Sequence, residues 1–129
     1  MNLKLTRTET CKKHLETLLY KNGFQHNSLP YPNLISIRGF NIQVVCPHTN
    51  NPKYLAVNAN TKSADFYVGY IWDENGERLM GFAYRDNLEF FHEDPNSGWR
   101  DPTYRTLIEH LQHIHILLEI LRSPTNNYV

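Results

Sequence analysis

The side chains available for chemistry in the first half of this chain are defined by an absence. Between Glu16 and Asp65 there is no aspartate and no glutamate. A hard-metal site is built from carboxylate oxygens, and metal-assisted hydrolysis needs them placed around a water or a phosphoryl group. This stretch supplies only amides, hydroxyls and imidazoles. Asn33 and Gln43 carry amide oxygens, which are neutral and weak magnesium ligands. Carboxylates stand only at the margins, in Glu16 and Asp65. Lys53 and Lys62 are the ammonium groups that would have to swing toward them. A metal centre here needs several relocations at once, so the sequence predicts no bound metal and no cofactor.

The histidines are the next candidates. His110, His113 and His115 sit close together in the chain. If they lie on one helix, at about 100° per residue, His110 and His113 fall on one flank of an apolar seam and His115 on the other. A zinc site would need two further ligands, and the sequence identifies none. Cys46-Pro47-His48 has no partner motif and reads as a strand end. For nucleophilic catalysis there is no glycine-flanked serine elbow and no phosphate-cradling glycine loop. Tyr31, Tyr54, Tyr67, Tyr70, Trp72, Tyr84 and Trp99, with Arg38, Lys53 and Lys62, could stack nucleic-acid bases. Core packing or a partner interface accounts for the same aromatics.

At 129 residues the chain has the size of one domain. No apolar run reaches the roughly 20 residues of a membrane span, and the N-terminus has no apolar signal region. A cytoplasmic location is therefore expected. Cys11 and Cys46 are too few for a disulfide framework and read as reduced, partly buried thiols. Net charge is zero but unevenly spread. Residues 1–62 hold eight Lys/Arg and two Glu; residues 63–129 hold five Arg and eleven Asp/Glu. The halves either offset each other on folding or leave a basic face for an anionic partner, and the first is the expectation. Overall neutrality argues against strong nonspecific nucleic-acid binding.

The elements that must position these groups follow from local signals. Thr6 and Glu9 have capping-box spacing. Cys11, Leu15, Leu18 and Leu19 then recur with helical period, with Lys12, Lys13, Glu16 and Lys21 on the polar face, and Gly23 suits the left-handed residue that ends a helix. Leu34–Arg38 and Phe40–Cys46 read as paired strands broken at Gly39, with Gln43 and Val45 on one face. Tyr54–Ala59 alternates weakly and is read as strand or short helix. Asp65–Trp72 is apolar on both faces, as a central strand is. Asn75-Gly76 is a hairpin signal joining it to Leu79–Tyr84. A last helix is expected from an Asp101 N-cap and Pro102 to about Arg122, on the spacing of Leu107, Leu111, Ile114, Leu118 and Leu121. So apolar a helix would be covered on more than one side, by the sheet and by a second subunit.

With this order of elements in place, Pro32-Asn33, a gap, then Ile42-Gln43-Val44-Val45 resembles a PD-(D/E)XK motif with changed residues. AlaAspPheTyrValGlyTyr at 64–70 and LeuMetGlyPheAla at 79–83 are similar to the later core strands of that nuclease superfamily. The resemblance covers roughly residues 6–90. It implies a restriction-endonuclease-like core, with the family's acid at Asn33, its glutamate or glutamine at Gln43 and its lysine at Val45. Two of those positions depart from the active pattern, because Asn33 is neutral and Val45 cannot orient water or offset developing charge.

The expected fold is therefore a mixed α/β single domain, a central mixed sheet flanked by an N-terminal and a C-terminal helix. The expected function is a non-catalytic, nuclease-like binding or accessory domain that self-associates. One alternative is a metal-dependent nuclease with ligands relocated to Glu16, Lys53, Lys62 or Asp65. Another is an unrelated α+β interaction protein, such as an immunity or accessory factor. The expected partner is a second copy or another protein, with nucleic acid a weaker expectation and membrane none.

Overall fold

A computed structural model describes residues 5–29, 33–49, 51–59, 63–91 and 102–123. The chain begins with α1, Arg7–Lys21. Thr6 Oγ1 accepts the Glu9 N–H at 3.1 Å, and Glu9 Oε1 accepts the Thr6 N–H at 3.2 Å. This reciprocal cap satisfies two of the free amides of the first turn and contributes about 1 kcal/mol. Gly23, at φ 85°, ends the helix by donating to the Tyr20 carbonyl. Lys12 was expected on the solvated face. It is instead buried at 6% exposure, with Nζ donating to Ser28 Oγ at 2.6 Å. Its neighbour Cys11 faces the sheet, and one helical step of about 100° leaves Lys12 under the adjoining edge strand.

Five strands form the central sheet: β1 Asn27–Ser28, β2 Leu34–Ile37, β3 Phe40–Val45, then β5 Phe66–Asp73 and β6 Gly76–Tyr84, in the order β1-β2-β3-β5-β6. Only the β3–β5 pair is parallel. The β5–β6 hairpin closes on Asp73 and Gly76, and Asp73 Oδ1 accepts the Asn75 N–H at 2.8 Å. A second antiparallel sheet is built from β4 Tyr54–Asn58, β7 Glu89–Phe91 and β8 Thr103–Leu107, in the order β4-β8-β7. The ambiguous segment at 54–59 is thus a strand, because β8 supplies it with a hydrogen-bonding partner along its length.

The last helix departs from expectation. α2 spans only Ile114–Arg122, and its N-cap is His113. Residues 103–107 are β8, and Ile108–His110 form a single 3-10 turn. Asp101, the expected cap, lies outside the described residues, but no helix starts beside it. Thr103, Tyr104 and Thr106 favour strand, and pairing with β4 and β7 outweighs the helical spacing of the leucines. The chain then crosses an edge of the central sheet. Gln112 and Phe82 exchange both backbone hydrogen bonds, at 2.8 and 2.9 Å. Leu111 stays on one side of the sheet, and α2 begins on the other.

The result is three layers in one mixed α/β domain. On one face of the central sheet, Cys11, Leu15 and Leu19 of α1 and Leu117, Leu118 and Leu121 of α2 pack with Ile35, Ile42, Val44, Val68, Tyr70 and Phe82. Both flanking helices therefore share a face. On the other face, Leu55 and Val57 of β4 pack with Tyr67, Ala83 and Leu88, joined by Val45, Tyr104, Ile108 and Leu111. No helix among the described residues is long and apolar enough to cross a membrane.

Candidate functional site

Gln43 and Val45 lie on β3, the middle strand of the central sheet. Strand pairing sets Gln43 between Leu34 of β2 and Tyr67 of β5, and Val45 beside Gly69. Alternation puts Val44 toward the helices, so Gln43 and Val45 point the other way, as the sequence predicts. That face is not an open cleft. Gln43 is only 9% exposed, and Val45 packs in the cluster that holds Leu55 and Leu111. Gly69 makes this possible: a methyl group there would lie 2.9 Å from Leu111 Cδ1 and 3.1 Å from Leu55 Cδ1. Its missing side chain lets the three-stranded layer settle on β5. Asn33 contributes main chain, its carbonyl accepting the Val44 N–H at 2.8 Å.

The candidate relocated ligands are dispersed. Glu16 lies on α1, on the helix side of the sheet, where Oε2 accepts from His26 Nε2 at 2.8 Å. Asp65 sits where β5 begins. Its Oδ2 accepts the Asn41 N–H at 2.9 Å, and Arg85 lies 3.9 Å from its other oxygen. Both side chains of that pair are substantially exposed, so its contribution is small. Lys53 stands at the start of β4, with its ammonium 5.6 Å from the centre of the Tyr54 ring. Lys62 lies outside the described residues. Among the described residues, no three His, Cys, Asp or Glu side chains converge as a metal site.

The histidine geometry also changes. His113 is the cap of α2 rather than a mid-helix residue, and its Nδ1 accepts the His115 N–H at 3.3 Å. The two imidazoles meet, with their Nδ1 atoms 2.6 Å apart, instead of lying on opposite flanks. His110 is exposed in the preceding 3-10 turn. Of the aromatics proposed for base stacking, Tyr67 and Tyr70 are fully buried core residues. Tyr54 has another use: the Arg105 guanidinium sits 4.3 Å from its ring centre and 3.6 Å from that of Phe91. Tyr31 and Trp99 lie outside the described residues.

Two pairings escaped the sequence reading. Lys12 with Ser28 and Glu16 with His26 link α1 to the edge strand β1 and its approach. Lys12 and Glu16 are four apart on the helix, and His26 and Ser28 two apart on an extended segment. Those matching intervals were the available signal.

Cys11 and Cys46 are both buried, one on α1 and one just beyond β3. Burial pushes the Cys11 thiol up, and contact with Cys46 adds to this; burial also raises Cys46. Tyr67 and Tyr70 are raised by the same cause. These groups keep their protons in the folded chain while the unfolded chain loses them. Their contribution to stability is complete below the unfolded values, 9.0 for the thiols and 10.0 for the phenols, and is lost as pH rises beyond them. Each group costs up to about 1.4 kcal/mol per pH unit once the unfolded group ionises. Urea midpoints at pH 7 and pH 10 are expected to show a marked alkaline loss, smaller in Cys11→Ala. Equal midpoints at the two pH values for the parent would contradict the burial of these groups.

No family model, no curated protein and no solved structure matches the chain. What its own geometry defines is a three-layer mixed α/β domain whose motif-bearing face is closed by a second sheet.

Proposed function

We propose that this chain is a non-catalytic, nuclease-like domain retained for binding or as an accessory subunit, without an intact metal site. One observation carries the reading: Gln43 is 9% exposed and Val45 packs beneath β4, on the face where the motif side chains point. A metal-assisted hydrolase needs carboxylates and a substrate on that face. Here it holds an amide, a valine and the apolar underside of another sheet. The β2–β3 hairpin and the pairing of β3 with β5 agree with the strand pair and central strand expected from the sequence.

The partner in this reading is a second copy or another protein. The apolar spacing from Leu107 to Leu121 no longer supports it as one surface, since Ile108 and Leu111 pack in one internal cluster and Ile114, Leu117, Leu118 and Leu121 in the other. Among the described residues, the apolar side chains left outside include Leu5, Tyr20 and Phe90, with the partly buried Ile116 and Ile120 of α2.

The reading is tested by incubating the protein with single- and double-stranded DNA and RNA in magnesium or manganese. No cleavage above the metal-free blank is expected. Cleavage that tracks the purified protein and is lost in Asp65→Asn would favour the relocated-ligand nuclease. Light scattering of the same samples at tens of micromolar (roughly, a range that detects micromolar association) should give a mass above the 15.2 kDa monomer.

A further inference from the structure

A groove of about 610 Å³ lies at the β1 edge of the central sheet, between the end of α1 and the β2–β3 turn. Its volume is in the range of small-ligand sites. Every residue lining it falls between Tyr20 and Gly39, inside the acid-free stretch, so no carboxylate is among its walls. It includes none of Asn33, Gln43 and Val45, and what it binds is independent of the function proposed above.

Three features of the groove point to one ligand chemistry. Tyr20, on the last turn of α1, is 77% exposed, an aromatic ring left in solvent at the rim. Arg38 and Gly39 form the two-residue loop of the β2–β3 hairpin, at φ 49° and 85°. Such a loop takes Asn, Asp or Gly without strain, and an arginine held in the left-handed region is an outlier of the kind found at ligand sites. Among the described residues Arg38 has no acidic partner. His26, also on the wall, donates through Nε2 to the Glu16 carboxylate, which fixes its ring.

We infer that this groove binds an anionic ligand that carries an aromatic ring, the chemistry of a nucleoside phosphate, with the base on Tyr20 and the phosphate on Arg38. Guanidinium recognises phosphate oxygens in a bidentate fork, and a base stacks on an exposed tyrosine whatever its sequence. The same chemistry comes from a free nucleotide or from a nucleotide within a single strand.

Calorimetric titration with adenosine 5′-monophosphate, inorganic phosphate, adenosine and a single-stranded deoxythymidine octamer tests the inference. The monophosphate should bind roughly tenfold or more tightly than phosphate or adenosine alone, since both contacts are needed. Tyr20→Ala and Arg38→Gly should each weaken it roughly fivefold or more. Arg38→Gly should melt at or above the parent, because glycine adopts this φ freely, so weaker binding there does not report lost fold. An octamer that binds more tightly than the monophosphate assigns the site to a strand; the reverse assigns it to a free nucleotide. No saturable binding of either up to about 10 mM, an interaction too weak to be specific, overturns the inference. So does binding unchanged in both variants.

Discussion

Gly81→Ala is expected to remove roughly 2–6 kcal/mol of stability, a large share of the 5–15 kcal/mol available to a domain. Two effects add. Gly81 has φ 143°, a backbone conformation that a side chain strains by about 1–3 kcal/mol. A methyl group there would also collide with the Gln112 carbonyl oxygen and lie 3.1 Å from Leu111 Cβ. Both are held fast by the Phe82–Gln112 exchange of hydrogen bonds, so relief means moving backbone, at about 1–3 kcal/mol more. Gly76 provides the comparison. It has φ 99° but open space around its Cα, so Gly76→Ala should lose only the strain, about 1 kcal/mol. Urea denaturation of the two variants separates the effects. Equal losses would mean that the chain does not cross the sheet at Gln112.

The second large effect concerns the covering sheet. Leu55, 1% exposed, is the side chain of β4 that meets β5 over Gly69. Leu55→Ala should cost about 2–5 kcal/mol, lowering the melting temperature by roughly 3–5 °C for each kcal/mol in a chain of this size. The damage should also be local. Amide exchange at Gln43, Val45 and Tyr67 is expected to quicken more than exchange in α1, whose contacts lie on the opposite face. Leu5→Ala, at a residue 45% exposed, should change stability by less than about 0.5 kcal/mol. If Leu55→Ala behaved like Leu5→Ala, β4 would not be the cover of this face.

The parts of this fold legible in the sequence are those set by local chemistry. The capping box at Thr6, the Gly39 turn, the alternation through Gln43 and the Asn75-Gly76 hairpin all act within a few residues of chain. The second sheet was not legible, because β7 and β8 are short and owe their existence to pairing across the fold. The apolar spacing of Leu107, Leu111 and Ile114 fits a helix equally well. Only the backbone exchange between Gln112 and Phe82, distant in sequence, decides that the chain turns there. The same reason hid the environment of Gln43: alternation tells which way a side chain points, not what covers it. Lys12 was misread because charge alone does not reveal a neighbouring edge strand.

The face bearing Gln43 and Val45 is covered by the second sheet, and no working metal site is expected there. Calorimetric titration of the full chain with manganese and with magnesium, alongside Gln43→Ala, tests it most directly. No saturable binding tighter than about 1 mM is expected, an affinity near 4 kcal/mol, and no difference between parent and variant. Tighter binding in the parent that disappears in Gln43→Ala would contradict it, placing a functional metal on the face described here as closed.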